Sequence, residues 1–329
     1  MKKVISLILS LVMVFALTAC GASESAQTPT GYAENYKIAI IQQLDHSSLD
    51  EIRTAVEAQL KARAEEQGVG ITFTYDNGQN DTSMLSQIST QVVSEEPDLI
   101  VPIATLAAQY AVTAAEGTNI PIVYAAISDP ESAGLTGIPT VTGVSDALNT
   151  PFILDMMLSA QPDIQTVGLL YSNSEINSAT PIAEAKAYLD AKGIAYAEKT
   201  GTTSGEIIEA TASMVGLVDA VFTPTDNAVM AAEASVAELL NNAGIPHYTG
   251  ADSFVLSGAF TTCGVNYTEL GAKVGDMAFD ILMGGTIGDF HVMDGGIITV
   301  NTDTARACGI DYSVFSQMAN TVNEVVTAE

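Results

Sequence analysis

From Tyr36 onward the chain alternates between short apolar runs and longer amphipathic segments, and this alternation limits the fold more than any other feature. The runs "YKIAIIQQL" (36–44), "GITFTYDNG" (70–78) and "DLIVPI" (98–103) are rich in β-branched residues and are typical of strands. The segment between the first two places Ile52, Val56 and Leu60 at four-residue spacing, which predicts a helix with one apolar face. Strands that alternate with such helices require parallel sheets with right-handed crossovers.

The strand–helix series runs twice. Tyr36 to about Asp146 forms one five-strand set, and Gln165 to about Asp252 starts the pattern again. We therefore expect an α/β fold of two doubly wound parallel-sheet lobes, joined by hinge crossovers, with a cleft between them. Residues 36–146 plus 253–285 are assigned to lobe 1 and residues 147–252 plus 286–329 to lobe 2.

The N-terminus has the features of an export signal. Lys2 and Lys3 precede an apolar run, "VISLILSLVMVFAL" (4–17), that is short for a membrane span, so residues 1–19 are expected to be a signal peptide. The following "LTAC" (17–20) resembles the lipobox of bacterial lipoproteins, which implies that Cys20 is lipidated; an ordinary signal peptide with an incidental cysteine is the alternative. Residues 20–35 are small and polar, typical of a flexible tether. The protein is expected to face the exterior or periplasm, held at the membrane by its lipid alone.

The charge of the chain excludes two classes of partner. Eleven Lys and Arg stand against 39 Asp and Glu, a formal net charge of -28. Such a chain repels nucleic acid and anionic membrane surfaces, so neither is an expected partner. Cys263 and Cys308 remain after Cys20; an exported chain can pair them, but two buried free thiols are the simpler interpretation.

Polar side chains follow the predicted strands in both halves. Ligands of open parallel sheets bind beyond the carboxyl ends of strands, where helix N-termini point. Six stretches occupy such positions: "QQLDHSS" (42–48), "ATLAAQ" (104–109), "AAISDP" (125–130), "YSNSEINS" (171–178), "TPTDNAV" (223–229) and "GADSF" (250–254). They offer hydroxyls, amides and carboxylates without Lys or Arg. This pattern suits a small zwitterion whose carboxylate meets amide N–H groups and Thr105, and whose ammonium meets Asp226 or Asp252.

The candidate ligand-binding residues lie at or beside these strand ends. They are Gln43, Leu44, Thr105, Ala107, Tyr124, Ser128, Asp129, Ser145, Tyr171, Asn173, Asn177, Asp226, Asn227 and Asp252. Leu44, Tyr124 and Tyr171 are expected to contact an aromatic or large apolar side chain of the ligand. Simpler roles stay open: Thr105 and Asp226 are also good helix caps, and Asp129 before Pro130 suits a turn.

Six motifs together resemble a known family. These are "DLIVPIATLAAQ", "IPIVYAAISDPESAGL", "VTGVSD", "GLLYSNSEINS", "DAVFTPTDNAV" and "LGAKVGDMAFDIL", in this order between Tyr36 and Ile310. They resemble the substrate-binding lipoproteins of ABC importers, of the type I periplasmic-binding-protein fold, in the group with tryptophan- and tyrosine-binding members. The resemblance implies carboxylate recognition at Thr105, Ala107 and Ser128 and amine recognition at Asp226 or Asp252. Where family members carry Glu-His-Pro after the first strand, this chain has "LDHSS" (44–48), which leaves the ligand's identity open.

The resemblance also implies partners and excludes chemistry. An ABC permease with its ATPase would receive the ligand from a monomeric binding protein, without a cofactor or metal. A ligand-sensing ectodomain that reports to a membrane receptor uses the same fold and stays an alternative. The chain has no nucleophile, phosphate-loop or metal-spaced motif, and its three His are widely separated, which argues against an enzyme. A DNA-binding regulator of this architecture needs a helix-turn-helix where this chain has its signal peptide.

Overall fold

The structure, a computed structural model, describes residues 34–328. The expected signal peptide, the lipidation site Cys20 and the tether up to residue 33 lie outside the described residues. Within them, two α/β lobes each form around one sheet, as the doubled pattern predicts. No helix in this part of the chain is both long and apolar enough to cross a bilayer.

Lobe 1 is built on a six-stranded parallel sheet with the order β11-β5-β4-β3-β1-β2. Its strands and helices in chain order are β1 (Asn35–Gln42), α1 (Ser47–Gln67), β2 (Gly70–Asn77), α2 (Thr82–Ser94), β3 (Leu99–Ile103), α3 (Thr105–Ala114), β4 (Ile122–Ala125), β5 (Val141–Ser145), α10 (Tyr267–Leu282) and β11 (His291–Val292).

Lobe 2 is built on a seven-stranded sheet with the order β13-β12-β10-β9-β8-β6-β7, in which only the β10–β12 pair is antiparallel. Its elements are α4 (Thr150–Ala160), β6 (Thr166–Tyr171), a 3-10 helix (Ile176–Ser178), α5 (Ala179–Lys192), β7 (Ala195–Thr200), α6 (Ser204–Ala212), β8 (Ala220–Thr223), α7 (Asn227–Met230), α8 (Glu233–Asn242), β9 (His247–Thr249), α9 (Asp252–Leu256), β10 (Thr261–Gly264), β12 (Ile297–Asn301), α11 (Thr302–Cys308), a second 3-10 helix (Ser313–Gln317) and β13 (Thr321–Val325).

Three crossings join the lobes, at residues 146–149, 265–266 and 293–296. The expected lobe boundaries were wrong in two places. Residues 253–264 were assigned to lobe 1, but β10 pairs with β9 and β12 of lobe 2. Residues 286–292 were assigned to lobe 2, but β11 pairs with β5 of lobe 1.

Both faces of the lobe 1 sheet are covered, which explains the nearly continuous apolar strands. On β1, Ile38 and Ile40 share a core with the fully buried stripe of α1, and Ala39 and Ile41 share another with Ala107 of α3. Helix α10 returns from lobe 2 to pack closely on α1. A Cβ at Gly271 would lie 2.5 Å from the carbonyl oxygen of Ile52, so this approach requires glycine.

Candidate functional site

A small cavity of about 30 Å³ lies between the lobes, where the carboxyl ends of the strands of both sheets meet. We call it the cleft cavity. Lobe 1 and the crossings contribute the turns after β3 and β4, the starts of α1, α3 and α10, and the first crossing. Lobe 2 contributes the 3-10 helix after β6 and the segments after β8 and β9, with α7 and α9. Its wall consists of His46, Ser48, Leu49, Ala104, Thr105, Ala126, Ser128, Asp146, Asn177, Thr225, Asp226, Asn227, Met230, Ala251, Ser253, Phe254 and Tyr267.

The strands β3 and β4 both end in strained alanines at this wall. Ala104 has φ 74° and ψ 163°, a region almost restricted to glycine, and Ala126 has φ 56°. The sequence left open that Thr105 is the N-cap of its helix. In the structure Ala104 is the N-cap of α3, and Thr105 is the first helical residue. The strained turn therefore directs the start of α3 toward the cleft cavity.

The start of α3 presents hydrogen-bond donors. Among residues 34–328, the N–H groups of Thr105 and Ala107 and the Thr105 hydroxyl donate to no other residue, whereas the N–H of Leu106 donates to Oε1 of Gln43 at 3.1 Å. Ala107 itself is completely buried, so the backbone at this point has no bulky side chain over it. Unpaired N–H groups at a helix N-terminus favour an anion such as a carboxylate.

Hydrogen bonds across the cleft hold the lobes together. Gln43 donates to Glu175 at 2.8 Å, Ser48 donates to Asp252 at 2.9 Å, and the hydroxyls of Ser128 and Thr225 are 2.8 Å apart. Two further pairs join Thr180 to Asp129 at 2.6 Å and His46 to Asn227 at 3.4 Å. The structure is thus a closed arrangement of the two lobes.

The lobe 2 side of the cleft carries two neighbouring buried carboxyl groups. Asp226 accepts from the N–H of Ser172 at 2.7 Å, the hydroxyl of Ser178 at 2.6 Å and the N–H of Val229 at 2.9 Å, the last as the N-cap of α7. Glu175 accepts from Gln43 and Asn227. Burial, and next the charge of Asp226, raises the pKa of Glu175 well above its ordinary value; burial also raises the pKa of Asp226, against its hydrogen bonds.

Asp146, on the first crossing, is a third buried carboxyl at the cleft. Its Oδ1 accepts from the hydroxyl of Ser128 at 3.0 Å. Burial raises its pKa to about 6. No Lys or Arg lines the cleft cavity, and burial lowers the pKa of His46 to about 4, so the wall supplies no cation near neutral pH. The acid groups here lack a positive partner from the described residues.

Three wall residues present polar atoms without a partner among the described residues. These atoms are Nδ1 of His46, Oδ1 of Asn177 and Oγ of Ser253. Buried polar atoms in folded proteins are normally hydrogen-bonded, and an unpaired one costs about 1–3 kcal/mol. All three border the same cavity, so a polar ligand there would satisfy them together.

The structure brings five of the ten predicted polar residues, tyrosines aside, to one cavity, and the predicted Ala107 does not line it. Thr105, Ser128, Asn177, Asp226 and Asn227 line the cleft cavity. Gln43, Asp129 and Asp252 take part in the bonds between the lobes instead, and the Ser145 hydroxyl accepts from the N–H of Ala147 at the first crossing.

The predicted apolar contacts lie elsewhere. Leu44 packs in the core beside α1, and Tyr124 is buried in the core on the other face of the sheet. Tyr171 donates to Glu198, and Asn173 donates to Thr200, both on β7. Leu49, Met230, Phe254 and Tyr267 form the apolar wall instead. Of the residues that sequence reasoning missed, Glu175 and Asp146 stand inside the motifs "YSNSEINS" and "VTGVSD", whereas nothing in the sequence singles out Tyr267.

Comparison with known proteins agrees with this geometry. Residues 37–322 match the model of the family described as ABC transporter substrate binding protein. A tyrosine-binding protein of Clostridioides difficile is 32% identical over 319 residues, which cover 93% of this chain and 92% of the relative.

Two solved structures have the same fold. An ABC domain from Streptococcus pneumoniae in complex with L-Trp is 30% identical, with a TM-score of 0.81, covering 88% of this chain and 99% of that one. The ligand-free, open structure of a substrate binding protein with adhesive properties from Clostridium difficile is 32% identical, with a TM-score of 0.67, covering 89% and 100%. The protein therefore belongs to the ABC transporter substrate binding protein family, with the type I periplasmic binding fold, and binds a solute rather than catalysing a reaction.

Proposed function

We propose that this chain is an extracytoplasmic, lipid-anchored protein that captures a free amino acid with an aromatic or large apolar side chain between its lobes and delivers it to an ABC permease. The observation that carries the proposal is the pairing of opposite chemistries on one cavity. Thr105, whose N–H and hydroxyl donate to no described residue, lines it from lobe 1, and the buried carboxyl group of Asp226 lines it from lobe 2. A zwitterion complements both.

The ligand's carboxylate is assigned to α3 and its ammonium to Asp226. The N–H groups of Thr105 and Ala107, with the hydroxyls of Thr105 and Ser128, supply donors for the carboxylate. Because no Lys or Arg lines the cavity, the ligand's ammonium would be the cation that the Asp226–Glu175 pair lacks. Asn177 and Asn227 flank Asp226 and supply amide groups to the same end of the ligand.

The ligand's side chain is assigned to the apolar wall of Leu49, Met230, Phe254 and Tyr267. Phe254 and Tyr267 suit an aromatic ring, since rings pack favourably edge to face or offset. The L-Trp complex and the tyrosine-binding protein among the relatives support an aromatic ligand.

The size of the cavity indicates that the lobes must move. A volume of about 30 Å³ holds one or two waters but not an amino acid. Binding therefore requires the lobes to part at the three crossings and to close again around the ligand, a hinge motion in which the ligand selects the closed state.

Native mass spectrometry of the protein purified without denaturation tests the ligand class. The expected spectrum shows one bound species with the mass of an aromatic amino acid, released by mild activation. If the protein carries none, a thermal-shift screen over amino acids follows, because a ligand that binds only the folded state raises the melting temperature. The absence of any stabilising amino acid would contradict the proposal.

The anchor is tested separately at Cys20. Cys20→Ala should release the protein from the membrane fraction into the medium or periplasm, without changing its affinity for the ligand, because a lipid chain is what holds it there. A variant that still sediments with membranes would contradict lipid anchoring while leaving the solute-binding proposal intact.

A further inference from the structure

A second cavity, larger than the cleft cavity, lies behind the crossings and not between the lobes. Its volume is about 640 Å³, within the range of small-molecule sites. We call it the hinge cavity. All three crossings form one wall, through residues 146–149, 264–267 and 295–296, and lobe 2 forms the rest, through α4, β10, β12 and residues 316–321.

Two residues stand in the walls of both cavities. Asp146 and Tyr267 border the cleft cavity and the hinge cavity alike, and both are buried. Each belongs to or directly follows a crossing. The two cavities therefore lie back to back, separated by side chains whose positions depend on the hinge.

The composition of the wall indicates what the hinge cavity would hold. Asp146 is its one carboxylate, and no Lys, Arg or His lines it. Leu148, Phe152, Ile297 and Met318 provide apolar surface, and the Tyr267 phenol adds a polar group. Amide and hydroxyl groups make up the rest of the wall, on Asn149, Ser316, Gln317, Asn320 and Thr321. One carboxylate in a wall with both apolar and polar parts suits a small organic cation with one apolar group.

The cavity has room next to the backbone. Gly264 and Gly295 both line it, and a Cβ added at Gly295 would meet nothing closer than the carbonyl oxygen of Gly264 at 3.7 Å. Both glycines leave space that a larger side chain would fill.

We propose that the hinge cavity is a second ligand site, for a small primary ammonium ion that carries an aromatic ring on an alkyl chain, and that its occupation stabilises the closed lobes. The crossings form one wall, so rotation of the lobes changes the shape of the cavity. An occupant that fits the cavity in the closed arrangement binds that arrangement better, and by linkage it strengthens ligand binding in the cleft. The coupling between the hinge cavity and the cleft cavity rests on the proposed function, but ligand binding in the hinge cavity does not.

Calorimetric titration with 2-phenylethylamine tests the site directly. The wild-type protein should bind one equivalent. Gly295→Leu fills the cavity and should weaken binding about tenfold or more, whereas the matched control Gly295→Ala leaves most of the space and should stay within about threefold of wild type. No saturable binding by wild type, or equal binding by Gly295→Leu, would overturn the proposal.

Titration in the presence of L-tyrosine separates the two cavities. An amine in the hinge cavity should bind about fivefold or more tightly when L-tyrosine is saturating. Displacement of the amine by L-tyrosine would place it in the cleft and overturn the proposal. If L-tyrosine itself does not bind, the ligand assignment of the cleft fails, but the direct titration still decides the hinge site.

Wild-type thiol chemistry provides a measurement that does not depend on the folding of a variant. Cys263 is buried and lines the hinge cavity, whereas Cys308 is half-buried and does not line it. Burial raises the pKa of each thiol to about 11, so each alkylation rate is compared with that of the same thiol without the amine. 2-Phenylethylamine should slow the alkylation of Cys263 by iodoacetamide several-fold and leave Cys308 unchanged, as read by peptide mass mapping. Equal effects on both cysteines, or none on Cys263, would count against the site.

Discussion

Gln43 of lobe 1 donates a hydrogen bond of 2.8 Å to Glu175 of lobe 2, and both side chains are buried. Gln43 also accepts from the N–H of Leu106 at the start of α3, and Glu175 also accepts from Asn227 beside Asp226. One pair of side chains thus connects the proposed carboxylate end of the site to its proposed ammonium end, and it does so only when the lobes are closed.

Gln43→Ala should shift the protein toward an open form. The substitution leaves the Leu106 N–H and one Glu175 oxygen without partners in the closed state, and each unpaired group costs about 1–3 kcal/mol. When the lobes part, water can form hydrogen bonds with both groups. Small-angle scattering should show a larger radius of gyration than wild type. Gln109→Ala is the matched control, since its amide bonds only Ala133 within lobe 1. A Gln43→Ala profile identical to wild type would argue against this bond as a determinant of closure.

Asp146 should make stability fall as the pH rises. Its folded pKa of about 6 exceeds the ordinary value of 3.8, so the folded state holds the proton more tightly than the unfolded state. The resulting stabilisation is complete below pH 3.8 and is lost as the pH rises through 6, in total about 3 kcal/mol.

Asp146→Asn removes the titrating carboxyl group. The free energy of unfolding of the variant, measured relative to that of wild type, should therefore be higher at pH 7 than at pH 4. Urea unfolding at the two pH values measures the difference, with the exposed Asp190→Asn as control. A constant difference between Asp146→Asn and wild type at both values would show that this carboxyl does not titrate as described.

Asp226→Asn should weaken the binding of L-tyrosine by about 2–5 kcal/mol, because the buried ammonium loses its charged partner. Asp226 also caps α7, so the control must be another capping aspartate. Asp81→Asn serves, since Asp81 caps α2 through the N–H of Met84 and does not line the cleft cavity. Calorimetry on folded samples gives both affinities. An Asp226→Asn affinity within about twofold of wild type would exclude Asp226 as the ammonium partner.

Ala104→Gly should stabilise the protein. The backbone of Ala104 at φ 74°, ψ 163° costs a non-glycine residue about 1–3 kcal/mol, which exceeds the 0.5–1 kcal/mol or so by which glycine favours the unfolded chain. The free energy of unfolding should rise by about 1 kcal/mol. Ala111→Gly, inside the same helix with ordinary backbone angles, should lower it by about 1 kcal/mol. Destabilisation by both glycines would show that the turn after β3 is unstrained.

The two-lobe architecture follows from the sequence because strand and helix periods differ and repeat along the chain. The assignment of the C-terminal segments to one lobe or the other does not follow from the sequence. The sequence pattern of β10 is the same as that of the other strands, and its antiparallel pairing with β12 depends on contacts between residues that are distant in sequence. β11 has only two residues, too few to show a period.

The polar half of the site could be predicted, and the apolar half could not. Thr105, Ser128 and Asp226 follow strand ends, and parallel strands bring their carboxyl ends to one edge. Tyr124 and Tyr171 are strand residues whose direction depends on the register and the twist of the sheet, and both point away from the cleft cavity. Tyr267 reaches the site on α10, whose position depends on the chain's return from lobe 2. The backbone angles of Ala104 are typical of glycine, and an alanine in the sequence does not predict them.

The most direct test of the central claim is calorimetric titration of the wild-type protein with L-tyrosine and L-tryptophan beside their blocked forms. The blocked forms are N-acetyl-L-tyrosine, which lacks the ammonium, and L-tyrosine amide, which lacks the carboxylate. Recognition of both charged ends predicts that a free aromatic amino acid binds with one-to-one stoichiometry and that each blocked form binds about tenfold or more weakly. Binding of both blocked forms as tightly as the free amino acid, or no binding of any free amino acid, would contradict it.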